Sequence, residues 1–155
     1  MTLVGLGTDL ALIPGLAAHD AAEIDLVPRT RVGRVTVLSG AGEPVDLDTL
    51  AGRENLAQAL LLRLLIPVGS LGQLGHAGYG SRLQALIGQR KTESLRNLCR
   101  AYVLEVVQQE PRVEDRAVDL QFEPLAETAS TFVFTLAVRP RLGEEPLGLS
   151  LEIGL

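Results

Sequence analysis

Tryptophan is absent, and aromatic residues of every kind make up 3% of the 155-residue chain, two Tyr and three Phe. Carbohydrate clefts are commonly lined with aromatic rings, so this supply disfavours a sugar-cleaving enzyme and leaves the core to Leu, Val, Ile and Ala. One cysteine, Cys99, rules out an internal disulfide and suits a reducing compartment or assembly in the cytoplasm. His19 and His76 stand far apart without ligand-spaced partners, and no Cys-x-x-Cys or His-Glu-x-x-His pattern occurs, so no metal and no cofactor is expected. Basic excess is missing too: 14 Lys and Arg face 19 Asp and Glu, a net charge of -5, and a nucleic-acid partner is not expected. The longest apolar stretch, Leu56 to Val68, is broken by Gln58, Arg63 and Pro67 and is too short to span a bilayer. Met1-Thr2-Leu3-Val4-Gly5 lacks the basic region of a signal peptide, so secretion by the usual route is not expected either.

The glycines form no phosphate cradle. Gly5-Leu6-Gly7 and the segment from Gly69 to Gly80 contain glycine pairs, but neither Gly-x-Gly-x-x-Gly between a strand and a helix nor Gly-Lys-Ser/Thr is present. Glu110, Glu114 and Asp115 cluster without a recognisable cleft, and Cys99 falls on an apolar helix position, where a small buried side chain is a better reading than a nucleophile. A small-molecule substrate is not expected, and a non-enzymatic protein is.

What is present is a composition 46% hydrophobic and 21% charged, that of a folded chain. One domain over residues 1–155 is expected, of a size that buries about two thirds of its unfolded surface. Residues 1–50 are rich in turn signals, with short strands at Arg34 to Leu38 and Val45 to Leu47 joined by a Gly/Pro cluster, while Ala17 to Leu26 reads equally as helix or loop. From Arg53 to Ile66, Leu56, Ala57, Leu60, Leu61, Leu64 and Leu65 predict a helix covered on most sides and stopped by Pro67 and Gly69. A glycine-rich connector and a short helix at Ser81 to Ile87, ended by Gly88, come next.

The clearest helix is Glu93 to Gln109, where Leu95, Leu98, Cys99, Tyr102, Val103, Val106 and Val107 follow the helical period. Thr92 is placed to cap it and Pro111 to end it. The period then changes to two, through Val118-Leu120-Phe122, then Phe132-Phe134-Leu136-Val138, then Leu147-Leu149-Leu151-Ile153-Leu155. Three such strands read as an antiparallel meander with one greasy face, and the preceding helix carries a matching stripe. The expected fold is α+β, with amphipathic helices packed on one face of a small antiparallel sheet.

Glu110-Pro111-Arg112 stands out. The plain reading is a helix ended by Pro111 with solvated charges on either side. But Glu110 sits at the C-terminal end of a helix, where the macrodipole disfavours negative charge, and a compensating cation from Arg112 or from a partner's arginine would make sense of it.

The run Gly52-Arg53-Glu54-Asn55-Leu56-Ala57-Gln58-Ala59-Leu60-Leu61-Leu62-Arg63-Leu64-Leu65-Ile66-Pro67-Val68-Gly69 resembles the first helix and turn of the baseplate wedge protein family of contractile tails. His76-Ala77-Gly78-Tyr79-Gly80-Ser81-Arg82-Leu83 resembles that family's aromatic-glycine motif, and Glu110-Pro111-Arg112-Val113 its Glu-Pro-Arg signature. The family includes wedge proteins of phage tails, the corresponding type VI secretion subunit, and subunits of extracellular contractile injection particles. The resemblance covers roughly residues 50–155. It implies a structural subunit, present in several copies per particle, that links the baseplate to the sheath and tube. Its partners would be other wedge proteins, sheath subunits and the central spike, hub or tube. It also implies contact through Glu110, Pro111, Arg112, Tyr79 and Gly80, and strand addition at a sheet edge such as Leu147, Leu149, Leu151 and Ile153. The alternative is a soluble adaptor or regulatory binding domain on the same scaffold.

Overall fold

The computed structural model describes residues 6–12, 28–30, 45–47, 49–141 and 145–155. The chain divides into two compact units, Met1–Gln58 and Ala59–Leu155.

In the first unit, β1 (Thr8–Leu10) is held by two kinds of partner. β4 (Thr49–Ala51) pairs with it antiparallel, Asp9 opposite Leu50. The other partner is a side chain: Gln58 donates from Nε2 to the Leu10 carbonyl at 2.8 Å and accepts from the Leu12 amide at 2.7 Å. Asn55 adds a donation from Nδ2 to the Leu6 carbonyl at 2.9 Å. The two amides that interrupt the apolar face of the helix are therefore buried and satisfied, standing in for a further strand. β2 (Pro28–Thr30) and β3 (Val45–Leu47) form a separate antiparallel pair, with Arg29 opposite Asp46. The strand expected at Val45 to Leu47 is thus present and pairs with 28–30; the segments expected at 34–38 and 17–26 lie outside the described residues.

Helix α1 (Gly52–Leu65) matches its expected span to within a residue and runs from the first unit into the second. Leu56, Leu60, Leu61 and Leu64 are buried, but Leu65, in the last turn at the margin of the stripe, is exposed. After it, the connector is less open than its glycine content suggests. Ser81 forms an isolated parallel bridge with Pro67, accepting from the Val68 amide at 2.9 Å and donating to the Ile66 carbonyl at 2.8 Å. Between these ends lies a 3₁₀ turn at Gly72–Leu74. The short helix expected at Ser81 to Ile87 is a single 3₁₀ turn, Leu83–Leu86, since Ser81 belongs to the bridge and Ile87 is already extended before Gly88 at φ +79°.

Helix α2 (Glu93–Gln108) begins as expected, with Thr92 extended and its hydroxyl accepting from the Leu95 amide at 3.1 Å. Cys99, Val103, Val106 and Val107 are buried; Leu98, assigned to the same stripe, is 41% exposed because the buried arc is narrower than the apolar one. β5 (Val113–Phe122), β6 (Thr131–Pro140) and β7 (Leu147–Gly154) form the antiparallel meander in the order β5-β6-β7. Leu120 stands opposite Leu136, and Leu136 opposite Leu149. The β6 residues Phe132, Phe134, Leu136 and Val138 are buried and alternate with half-buried Val133, Thr135 and Ala137. α2 packs against β5 and against the 3₁₀ turn Leu83–Leu86. The α+β architecture, helices on a small antiparallel sheet, is as the sequence predicts.

Candidate functional site

Three stretches singled out in the sequence meet around one side chain, Arg63 on α1. Its guanidinium carbon lies 4.5 Å from the centre of the Tyr79 ring. One terminal nitrogen approaches Glu110 Oε2 at 4.0 Å, and the other donates to Gln109 Oε1 at 3.4 Å. Its Nε is buried without a hydrogen-bond partner among the described residues. Arg63 was visible in the sequence as a break in an apolar run, a signal that marks a position without saying what the charge meets.

Glu110 is the buried member of the group, its side chain 3% exposed. Arg112 closes on it from two residues away: Nε donates to Oε1 at 2.6 Å and a terminal nitrogen to Oε2 at 3.1 Å. The Arg112 backbone amide adds a longer donation to Oε1, at 3.3 Å. Burial pushes the Glu110 carboxyl upward, but the bonds and charge of Arg112, helped by Arg63, outweigh it and leave the group below its ordinary range. The compensating cation at the end of α2 is therefore supplied within the chain. Pro111 fixes the tight return: the Val113 amide donates to the Glu110 carbonyl at 3.1 Å, and the Arg141 amide to that of Arg112 at 2.9 Å.

Tyr79-Gly80-Ser81 acquires a physical reading. Tyr79 carries Arg63 on its face. Gly80 adopts φ +113°, and a Cβ there would run into the Ile66 carbonyl oxygen and the Pro67 backbone. Ser81 donates from its hydroxyl to the Leu64 carbonyl at 2.6 Å, satisfying a C-terminal carbonyl of α1 that has no helical partner. Each of the three residues thus seats the connector against the end of α1.

A second ionic cluster escaped sequence reasoning. Glu127, in the β5–β6 connection, has a side chain only 2% exposed. Arg96 of α2 donates to both its oxygens, at 2.5 and 2.8 Å, and Lys91 approaches Oε2 at 2.8 Å. Lys91 also donates to the carbonyls of Thr128 and Thr131, at 2.6 and 2.7 Å. The Arg96 guanidinium lies 4.9 Å from the ring centres of both Phe122 and Phe132. Arg96's hydrogen bonds lead the causes that hold Glu127 down to about 2. Nothing local announced this: Glu127 is 31 residues from Arg96 and reads as one more turn acid.

The remaining titratable group of interest, Cys99, is buried, and loss of solvent pushes its thiol up to about 12. Among the described residues, no three His, Cys, Asp or Glu side chains gather as a metal site would need. None of the described helices is long and apolar enough to cross a membrane.

Beside the sheet edge the structure provides an apolar cavity of about 250 Å³. Leu64, Leu65, Leu83, Ile87, Phe134, Leu151 and Ile153 supply most of its wall. Of the edge residues expected in β7, Leu147 and Leu149 are buried under the sheet's covered face, whereas Leu151 and Ile153 are half-buried and reach this cavity.

No protein-family model matches the chain. No curated protein matches it either. Among solved structures, a "putative tail lysozyme" from Geobacter sulfurreducens superimposes with a TM-score of 0.55 at 17% identity, over 78% of this chain and 96% of that one. At that identity the likeness is one of fold, and the α+β arrangement of this chain is one that a protein named for a tail also adopts.

Proposed function

We propose that the chain is a structural subunit of a contractile, tail-like injection particle, sitting in the baseplate wedge and joining it to sheath and tube. The observation that carries this reading is the fold shared with a protein named for a tail, over nearly the whole of that protein. Two local features support it. The wedge-like motifs, far apart in sequence, converge on Arg63. Leu151 and Ile153 of β7 border an apolar cavity, the kind of pocket that gives specificity to an added strand. In this reading the protein assembles in the cytoplasm, and its partners are other wedge proteins, sheath subunits and the central spike or tube.

The lysozyme half of the neighbour's name finds less support in the chemistry. A glycosidase acid needs a carboxyl whose pKa is raised, and Glu110 and Glu127 are both pushed the other way by arginines. The reading is accordingly non-enzymatic.

The test is affinity capture of the tagged protein from cells expressing the neighbouring genes, followed by electron microscopy. Recovery of sheath and spike components in ring- or tail-shaped particles is expected. A lone soluble protein, with sheath and tube demonstrably expressed, would overturn the proposal and leave a soluble adaptor in its place.

A further inference from the structure

The two edges of the β5-β6-β7 sheet are built differently. The Leu155 amide donates to the Ser130 carbonyl directly opposite, at 2.7 Å, which sets the alternation along β7. Leu147, Leu149, Leu151 and Ile153 turn their backbone groups toward β6, while Gly148, Ser150, Glu152 and Gly154 turn theirs outward. All eight β7 residues keep one register, so this edge carries no bulge. An added strand would lay alternate side chains over the cavity beside Leu151 and Ile153.

The β5 edge is interrupted in both halves of its length. Between Val113 and Val118 the register shifts, so five steps on β5 answer two on β6 and the edge is bulged. In the regular part, the Glu123 amide donates to the Val133 carbonyl opposite, which turns the backbone groups of Val118, Leu120 and Phe122 outward. Leu120 is the middle of these three, and its carbonyl is already taken: Arg100 of α2 donates to it from a terminal nitrogen at 2.9 Å. The same guanidinium lies 5.3 Å from the Phe122 ring centre, which anchors it over the edge.

We propose that Arg100 is an edge guard that makes the sheet one-sided, denying β5 to an extended peptide and leaving β7 as the acceptor. Charged groups and bulges are the usual means of blunting a sheet edge, and here both fall on the same strand. The inference rests on the reading that partners add to β7, but the guard itself is testable without it. Arg100→Met keeps the long apolar stem and removes the donors; Arg100→Lys keeps a charge and a donor.

The experiment is amide NMR of wild type and both variants, titrated with a synthetic eight-residue peptide of alternating Val and Thr, with sedimentation of each protein alone. In wild type and Arg100→Lys, peptide is expected to shift the amides of Gly148, Ser150, Glu152 and Gly154 and leave Val118, Leu120 and Phe122 unmoved. In Arg100→Met the β5 amides are expected to shift as well, or the protein to self-associate with those amides newly protected from exchange. A natively folded Arg100→Met whose β5 amides neither shift nor gain protection, at peptide concentrations that saturate β7, overturns the guard. Wild type shifted at neither edge overturns the β7 reading alone, and self-association of Arg100→Met then decides the guard.

Discussion

At the scale of single residues, Glu110 and Glu127 are carboxylates buried among cations. Glu110 is compensated mainly by Arg112, with Arg63 at 4.0 Å as a weaker second cation. Truncating one member of such a pair strands the other, so Arg112→Ala is expected to lower stability by about 3 kcal/mol, read as a fall in the urea midpoint. Wild-type stability in that variant would mean that Arg63 alone can satisfy Glu110. Glu127 gives a pH signature. Its folded pKa of about 2 lies below the ordinary value of 4.5, so its contribution is complete above about pH 4.5 and is lost as pH falls toward 2. Glu110 is shifted in the same direction and adds to the same acid limb. Urea unfolding between pH 7 and pH 2 is expected to show stability flat at first and then declining with acid. Glu127→Gln should flatten part of that decline. An unchanged slope would show that the carboxylate is not held as the geometry indicates.

At the scale of elements, much was legible because the relevant physics is local. The period-3.6 stripe gave α2, the period-2 runs gave β5 to β7, and Thr92 identified the start of α2 by its chemistry. Removing that cap with Thr92→Ala is expected to cost about 1 kcal/mol, visible as a lower thermal midpoint without loss of helical ellipticity in the folded state. No change would mean that another group takes over the Leu95 amide. What the sequence did not disclose depends on distant partners. Gln58 and Asn55 look like interruptions of an apolar face until β1 and its flanks supply the backbone groups they bind. Glu127 gains its importance from Lys91 and Arg96, on the far side of β5 in sequence. The meeting of Tyr79, Arg63 and Glu110 was likewise out of reach, although each motif containing them was recognisable on its own.

For the molecule as a whole, the outer edge of β7, paired with no strand among the described residues, is the feature with the widest reach. Because the Ser150 amide points away from β6, Ser150→Pro removes one outward donor and leaves the native ladder whole. The expected outcome is a protein with the wild-type circular dichroism spectrum and oligomeric state that no longer enters particles when co-expressed with sheath and tube. Normal particles containing Ser150→Pro would show that β7 is not the strand acceptor.

Cys99 gives such experiments a convenience of its own. A thiol on the buried face of α2 and pushed up to about 12 is almost entirely protonated at neutral pH and out of reach of maleimides. The native protein therefore serves as its own cysteine-free background: a second cysteine, placed at Glu152, would take a fluorophore alone. Labelling of Cys99 itself would clock the opening of the core, so one reagent would follow docking at the surface and unfolding beneath it.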